Sequence, residues 1–279
     1  MMTQSLHIPA HLKPLLREVG RIADQRGLPA YAVGGCVRDW LLGVAETPDL
    51  DVAVEGDGIA VARAAGRLLG GTLTVHQQFG TATRRLGRSA PGGRRSGRWS
   101  PLPRCVAGDI PSEGPPATAG ARVEGSRPRR GDFATCRQET YAKPAAYPKV
   151  IPGTLEDDLF RRDFTINAMA VALSPARFGT LVDPFHGARD LRRHAVRILH
   201  PRSFLDDPSR ILRGIRFVRR FGFRWEPATA RAANAALAAG ALGWLNPGRL
   251  ARELDRMRRE PDPLACFQEL ATLLDRGTR

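Results

Sequence analysis

The chain has 279 residues, with 43 Lys and Arg against 28 Asp and Glu for a formal charge of +15, a length that suits one substantial core or two of about 100 to 150 residues. A pI near 11.1 points to a polyanionic partner such as nucleic acid, although an arginine-rich coding bias gives part of the same signal. No run of about 18 apolar residues and no signal-like apolar core near the N-terminus occurs, which argues against a helical membrane span and predicts a cytoplasmic protein.

In chain order, the hydrophobic period predicts a helix over 12–26, a strand over 28–33, a short helix over 36–43 and a strand over 50–55. A helix over 57–70 and strands over 72–76 and 81–86 follow. From Gly87 to Gly131 the sequence is crowded with Gly, Pro, Ser and Arg and keeps no period, so it predicts a disordered insertion, with a basic RNA-contacting arm as the alternative. Order returns with a strand over 132–137, then helices over 155–173, 207–221, 227–240, 247–259 and 261–275. The expected class is α+β: a mixed α/β head over 1–173, then an all-α neck and body over 174–279. Cys36, Cys105, Cys136 and Cys266 are scattered without a C-x-x-C, so they predict reduced, structural thiols rather than a zinc or disulfide framework.

Three constellations carry chemistry. Strand alternation turns Asp49 and Asp51 the same way while Leu50 and Val52 face the core, and two converging carboxylates call for a divalent cation, Mg²⁺ in a phosphate-handling site. Gly34 and Gly35, just before a helix that bears Arg38, let backbone N–H groups approach a phosphate. A bare D-x-D is more often a pair of solvated acids, and a bare Gly-Gly is more often a plain turn. Strand, Gly-Gly turn, helix and acidic strand together describe a site that grips a triphosphate and presents it to metal ions. Further on, Asp163 and Asn167 are four residues apart and predict one helix face, with a polar helix face as the plain reading. Asp207 and Arg210 are three apart, with Arg213 one turn later. Cytosine and adenine both offer an amino donor beside a ring-nitrogen acceptor, which a carboxylate plus a guanidinium complements, whereas guanine and uracil do not. An ordinary capping Asp with an i,i+3 ion pair is the plainer reading.

The segments "GGCVRDWLLG", "PDLDVAVEG", "FGTATRRL", "DFATCRQETY", "GTLEDDLFRRDFTINAMAVAL", "LVDPFHGARDL" and "HPRSFLDDPSRILRGIRFVRRFGF" follow one another in this order. They resemble the successive motifs of the class II tRNA nucleotidyltransferase and bacterial poly(A) polymerase family, within the polymerase-β-like nucleotidyltransferase superfamily. The resemblance covers about residues 28–86 and 132–260. It implies that Asp49 and Asp51 hold Mg²⁺ and that Asp132 brings a third carboxylate to the catalytic group. It further implies that Gly34, Gly35 and Arg38 hold the triphosphate, that Arg162, Asp163 and Asn167 sense the ribose and triphosphate, and that Asp207, Arg210 and Arg213 select C and A. The implied reaction is two-metal attack of a tRNA 3′-hydroxyl on the α-phosphate of CTP or ATP, without a nucleic-acid template. Arg249, Arg252 and Arg256 are candidates to hold the RNA backbone, a solvated helix face being the alternative for each. Within the family, full CCA addition, CC addition alone, addition of the terminal A alone and poly(A) synthesis stay open. A non-catalytic RNA-binding module is the competing reading of another class.

Overall fold

The computed structural model describes residues 6, 8–66, 70–85, 128 and 130–277. Helix α1 (Lys13–Asp24) buries Leu16, Val19, Ile22 and Ala23 on one face, as the 3.6-residue period requires. After it come β1 (Ala30–Val33), α2 (Gly35–Leu41) and β2 (Asp49–Val54). Helix α3 (Gly58–Ala64) starts where the Asp57 carboxylate accepts from Ala60 N at 2.9 Å, a cap of the usual kind. Strands β3 (Thr72–His76), β4 (Thr81–Arg85) and β5 (Arg130–Thr135) follow, then a separate hairpin of β6 (Arg137–Thr140) and β7 (Lys149–Pro152). Helix α4 (Leu155–Phe160), opened by a capping box between Thr154 and Asp157, leads to β8 (Ala170–Ala172) and β9 (Leu181–Val182).

Seven of these strands form one mixed sheet in the order β3-β4-β5-β2-β1-β8-β9. Only β2 and β5 run parallel; every other neighbouring pair is antiparallel. The rest of the chain is mainly helical: α5 (Gly187–Arg192), α6 (Ser203–Asp206), α7 (Ser209–Phe221), α8 (Pro227–Ala238), α9 (Pro247–Arg258) and α10 (Pro263–Gly277). A short parallel ladder of β10 (Ala195–Val196) and β11 (Arg224–Trp225) lies among them. The class is thus a mixed α/β head with a helical region, as expected. The two parts are joined by Phe164, fully buried, whose ring lies 5.8 Å from Phe217, 6.3 Å from Phe204 and 6.4 Å from Trp225. Each such aromatic pair contributes about 0.5–1.5 kcal/mol beyond its burial. Gly214 on α7 allows this approach, because a Cβ there would stand 2.2 Å from the Trp225 ring.

Four expectations change. The helix expected over 155–173 ends at Phe160; a 3₁₀ turn at Thr165–Asn167 and strand β8 replace its second half. A short apolar run such as Ala168 to Leu173 carries no decisive period, and its pairing with β1 makes it a buried strand. Strand β5 begins at Arg130 rather than 132, because pairing with β2 extends to Arg130 and Gly131. The helix expected from 207 starts at Ser209, with Asp207 in extended backbone between α6 and α7. The sheet reaches Val182, past the head boundary drawn at 173. Most of the expected insertion, 87–127 and 129, lies outside the described residues, as does Cys105. Cys36, Cys136 and Cys266 are free and buried, and no described helix is long and apolar enough to cross a membrane.

Candidate functional site

A cleft of about 750 Å³ opens between the sheet and helices α7 and α9. On strands β2 and β5 stand the acids. Asp51 on β2 is in register with Asp132 on the parallel neighbour β5, and Asp49 is opposite Arg130. Alternation along β2 leaves Asp49 exposed and Asp51 half-buried while Leu50 and Val52 are buried, as period-2 packing demands. Asp51 and Asp132 line the cleft; Asp49 lies one step further along the same face. Burial pushes the Asp51 carboxyl above its usual range, Asp132 and Asp49 push it further, and Arg162 opposes them. Arg130 forms an ion pair with one oxygen of Asp132, and the other oxygen, Oδ1, is buried without a partner.

This donor set fits a divalent cation. Hard carboxylate oxygens crowd one another, one of them is buried and unsatisfied, and a guanidinium partly neutralises the group. Among the described residues no three His, Cys, Asp or Glu side chains form a ready-made cage. Mg²⁺ does not require one, since it is commonly held by one or two carboxylates together with substrate phosphates.

Beside the acids lies the glycine turn. Gly34 has φ 79° and donates its N–H to Met169 O at 3.0 Å. The left-handed φ favours glycine here, and a Cβ would also push aside the tip of Arg162, 2.3 Å away. Arg162 pairs with Asp158 at 3.0 Å, while its buried Nε has no partner. Arg162 and Gly35 both line the cleft. Arg38 lines it too but is already engaged: its Nη1 donates to Asn167 Oδ1 at 2.7 Å, its Nε donates to Asp39 at 2.9 Å, and its guanidinium lies 4.9 Å from the Phe221 ring centre.

Other lining residues form a closed polar network. Asp163 Oδ1 accepts from Phe164 N at 2.8 Å and from Asn167 Nδ2 at 2.9 Å. Asp163 Oδ2 accepts from Arg213 Nε at 2.8 Å and Nη2 at 2.6 Å. Burial alone would raise this carboxyl, but Arg213 and Asn167 overcome it and hold it down to about 2. Asp163 and Asn167 therefore do meet, through a turn rather than along the helix face expected for them. Asp207 Oδ1 accepts from Ser209 N at 3.0 Å and Ser209 Oγ at 2.6 Å, and its Oδ2 accepts from Arg249 Nη2 at 2.6 Å. Arg210 Nε stands 3.8 Å from Asp207; its other nitrogens donate to Ser203 Oγ at 2.7 Å and to the Arg161 carbonyl at 2.6 Å. On α9 the spacing of Arg249, Arg252 and Arg256 puts all three on the cleft wall. Arg256 pairs with Glu253, whereas Arg252 takes part in no ion pair among the described residues.

Of the residues singled out from the sequence, all but Asp49 and Gly34 line this one cleft. Several that line it were not singled out. Asp158, 1% exposed in its side chain, is held below the usual range by Arg162 and Arg161 against its burial. Arg137, Glu139 and Tyr141 sit on one face of β6 and just past its end, and period-2 alternation in "RQETY" could have grouped them.

Comparison with known proteins gives a consistent answer. The sequence profile described as the poly A polymerase head domain matches residues 30–90 and 115–197. The A-adding tRNA nucleotidyltransferase of Halalkalibacterium halodurans is 39% identical over 265 residues, covering 94% of this chain and 52% of that protein. A solved CCA-adding enzyme in an apo form superposes with TM-score 0.76 at 37% identity, covering 95% of this chain and 53% of the other. The Thermotoga maritima CCA-adding enzyme complexed with tRNA gives TM-score 0.70 at 34% identity, covering 97% and 55%. The chain spans about half the length of these relatives.

Proposed function

The chain belongs to the family of the poly A polymerase head domain, and from that premise we propose that it is a tRNA nucleotidyltransferase, adding C and/or A from CTP and ATP to a tRNA 3′ end without a template. The observation that carries this reading is the register of β2 with β5. It brings Asp51 beside Asp132 in a cleft that Asp207 and Arg210 also line.

The roles divide along the cleft. Asp49, Asp51 and Asp132 would hold Mg²⁺, which when bound supplies acidity to the attacking hydroxyl and neutralises charge on the departing pyrophosphate. Gly34 and Gly35 keep the backbone open for the triphosphate, and Arg162, which lines the cleft with its guanidinium against Gly34, is placed to receive it. Asp207 and Arg210 accept and donate to the Watson–Crick edge of cytosine or adenine. Asp163 has no acceptor site left, so its part is to hold Arg213 and Asn167 at the cleft wall, and through Asn167 to steady Arg38. Arg252, free of acids, with Arg249 and Arg256 beside it, suits the RNA backbone. Such a reaction takes place in the cytoplasm, where tRNA is met.

The Halalkalibacterium relative is an A-adding enzyme, which favours addition of the terminal A alone as the second reading. A non-catalytic RNA binder is disfavoured by the acids, which would repel an RNA phosphate. The test uses purified protein, Mg²⁺ and three transcripts of one tRNA ending before CCA, after C and after CC, with CTP and ATP supplied separately and together. Completion of the shortest transcript identifies full CCA addition; extension only of the transcript ending in CC identifies A addition. Binding of tRNA with no more incorporation than an Asp49→Ala/Asp51→Ala control would leave the binding module as the answer.

A further inference from the structure

Alternation along β6 turns Arg137, Glu139 and, one step past its end, Tyr141 toward the cleft, and all three line it. The Glu139 side chain is 7% exposed, and its Oε1 is held by Arg137 at 3.0 Å and Arg161 at 3.2 Å. Its Oε2 accepts the Tyr141 hydroxyl at 3.0 Å. The hydroxyl is therefore spent on a fixed partner, and what Tyr141 offers the cleft is its ring. Among the described residues no aromatic ring or guanidinium stacks on that ring.

The backbone after Tyr141 is anchored as well. The loop that follows Tyr141 is tied to α6, where Ala145 N donates to Leu205 O at 3.2 Å, two residues before Asp207. Burial raises the phenol to about 12, and the charges of Arg210 and Asp207 reach it as well. Tyr141 thus stays protonated, keeps its bond to Glu139 and lies close to the pair that reads the base edge. An edge reader fixes a base in its plane but leaves both faces unheld; an aromatic face supplies that missing contact.

We propose that Tyr141 is the stacking platform of the nucleotide site, taking the face of the incoming base whose edge meets Asp207 and Arg210, with Glu139, Arg137 and Arg161 as its positioning residues. This rests on the nucleotidyltransferase reading above. Adenine has the larger face, so ATP depends on Tyr141 more than CTP does.

The experiment measures equilibrium binding of ATP and of CTP, tRNA affinity and incorporation for the parent, Tyr141→Phe, Tyr141→Leu and Tyr141→Ala, with melting temperatures for each. The leucine variant keeps apolar bulk and loses the aromatic face. The expected result is parent-like binding for Tyr141→Phe and roughly 5- to 150-fold weaker nucleotide binding for the leucine and alanine variants, larger for ATP, with tRNA affinity unchanged. Leucine binding nucleotides as the parent does would overturn the proposal. So would weakened tRNA affinity with unchanged nucleotide affinity, which would assign the ring to the terminal base of the tRNA. A parent that binds and incorporates no nucleotide would sink the nucleotidyltransferase reading itself, and the platform with it.

Discussion

Two groups of acids in the cleft use the same side chains to opposite effect. In the β2–β5 group, Asp49, Asp51 and Asp132 face one another, and a buried oxygen of Asp132 has no partner. Beside α7, Asp163 has every acceptor position filled by Phe164, Asn167 and Arg213, and Asp207 is held by Ser209 and Arg249 with one position on Oδ2 left open. The first arrangement keeps a repulsion that Arg130 and Arg162 relieve only in part. The second has largely satisfied itself, so any nucleotide must fit around a framework already in place. Carboxylates of the first kind are costly to stability; those of the second kind hold the fold in shape.

The sharpest way to break this contrast is to remove one acid from each group. Asp163→Ala leaves the buried Asn167 amide and the Arg213 guanidinium, 36% exposed, without their acceptor, and removing such a partner costs about 1–3 kcal/mol. Urea unfolding should register that loss, and a loss below about 1 kcal/mol would mean the pair behaves as a solvated one. In the other group Asp51→Asn should lower kcat by about 10²–10³-fold, the scale of losing one electrostatic stabiliser (about 2.7–4 kcal/mol). The same variant should melt at or above the parent's temperature, because it removes a carboxyl that burial and its acidic neighbours disfavour. A clear fall in melting temperature would show that Asp51 supports the fold and erase the distinction.

Titration sharpens the contrast further. The folded Asp163 carboxyl is held down to about 2, against an ordinary value of about 3.9. A depressed acid stabilises the fold above its unfolded pKa and loses that contribution as pH falls through the folded value. The gap in unfolding free energy between the parent and Asp163→Asn should therefore shrink by about 2 kcal/mol between pH 5 and pH 2. A gap that stays constant over this range would show that Arg213 does not act on Asp163 as a charge.

The contrast also bears on what was legible in the sequence. Asp49 and Asp51 were readable because strand alternation is local: a spacing of two residues is enough to put both carboxylates on one face. The Gly34 turn was readable because the left-handed backbone leaves a glycine in the sequence. The closed group was readable only in part. Asp207 with Arg210 looks like a helix cap with an i,i+3 pair, and its Oδ1 does bind Ser209 locally, yet the partner of its Oδ2 is Arg249, 42 residues away on α9. Asp163 finds Arg213 across 50 residues, and Asp158, Glu139 and Arg161 form a cluster that joins β6 to the end of α4. The helix expected over 155–173 failed for the same reason: the pairing of β8 with β1 is a tertiary choice that overrides local period.

Arg249 gives the smallest test of the contrast. It donates to Asp207 Oδ2 at 2.6 Å. The pair is partly buried, 25% and 12% exposed, and lies between a surface pair and a buried one, so Arg249→Ala should cost only about 1–2 kcal/mol of stability. Its distinctive effect should fall on selection. With Arg249 gone, Asp207 keeps its two bonds from Ser209 on Oδ1, but Oδ2 is tethered only by Arg210 at 3.8 Å, and the carboxylate can turn away from the base edge. Discrimination of ATP and CTP against GTP and UTP, measured as the ratio of kcat/KM values, should then fall about fivefold, the equivalent of about 1 kcal/mol. If all four nucleotides lose activity equally, Arg249 acts on the RNA backbone rather than on Asp207. If the melting temperature falls with selectivity intact, the closed group depends on Arg249 for its fold and not for the aim of its carboxylate.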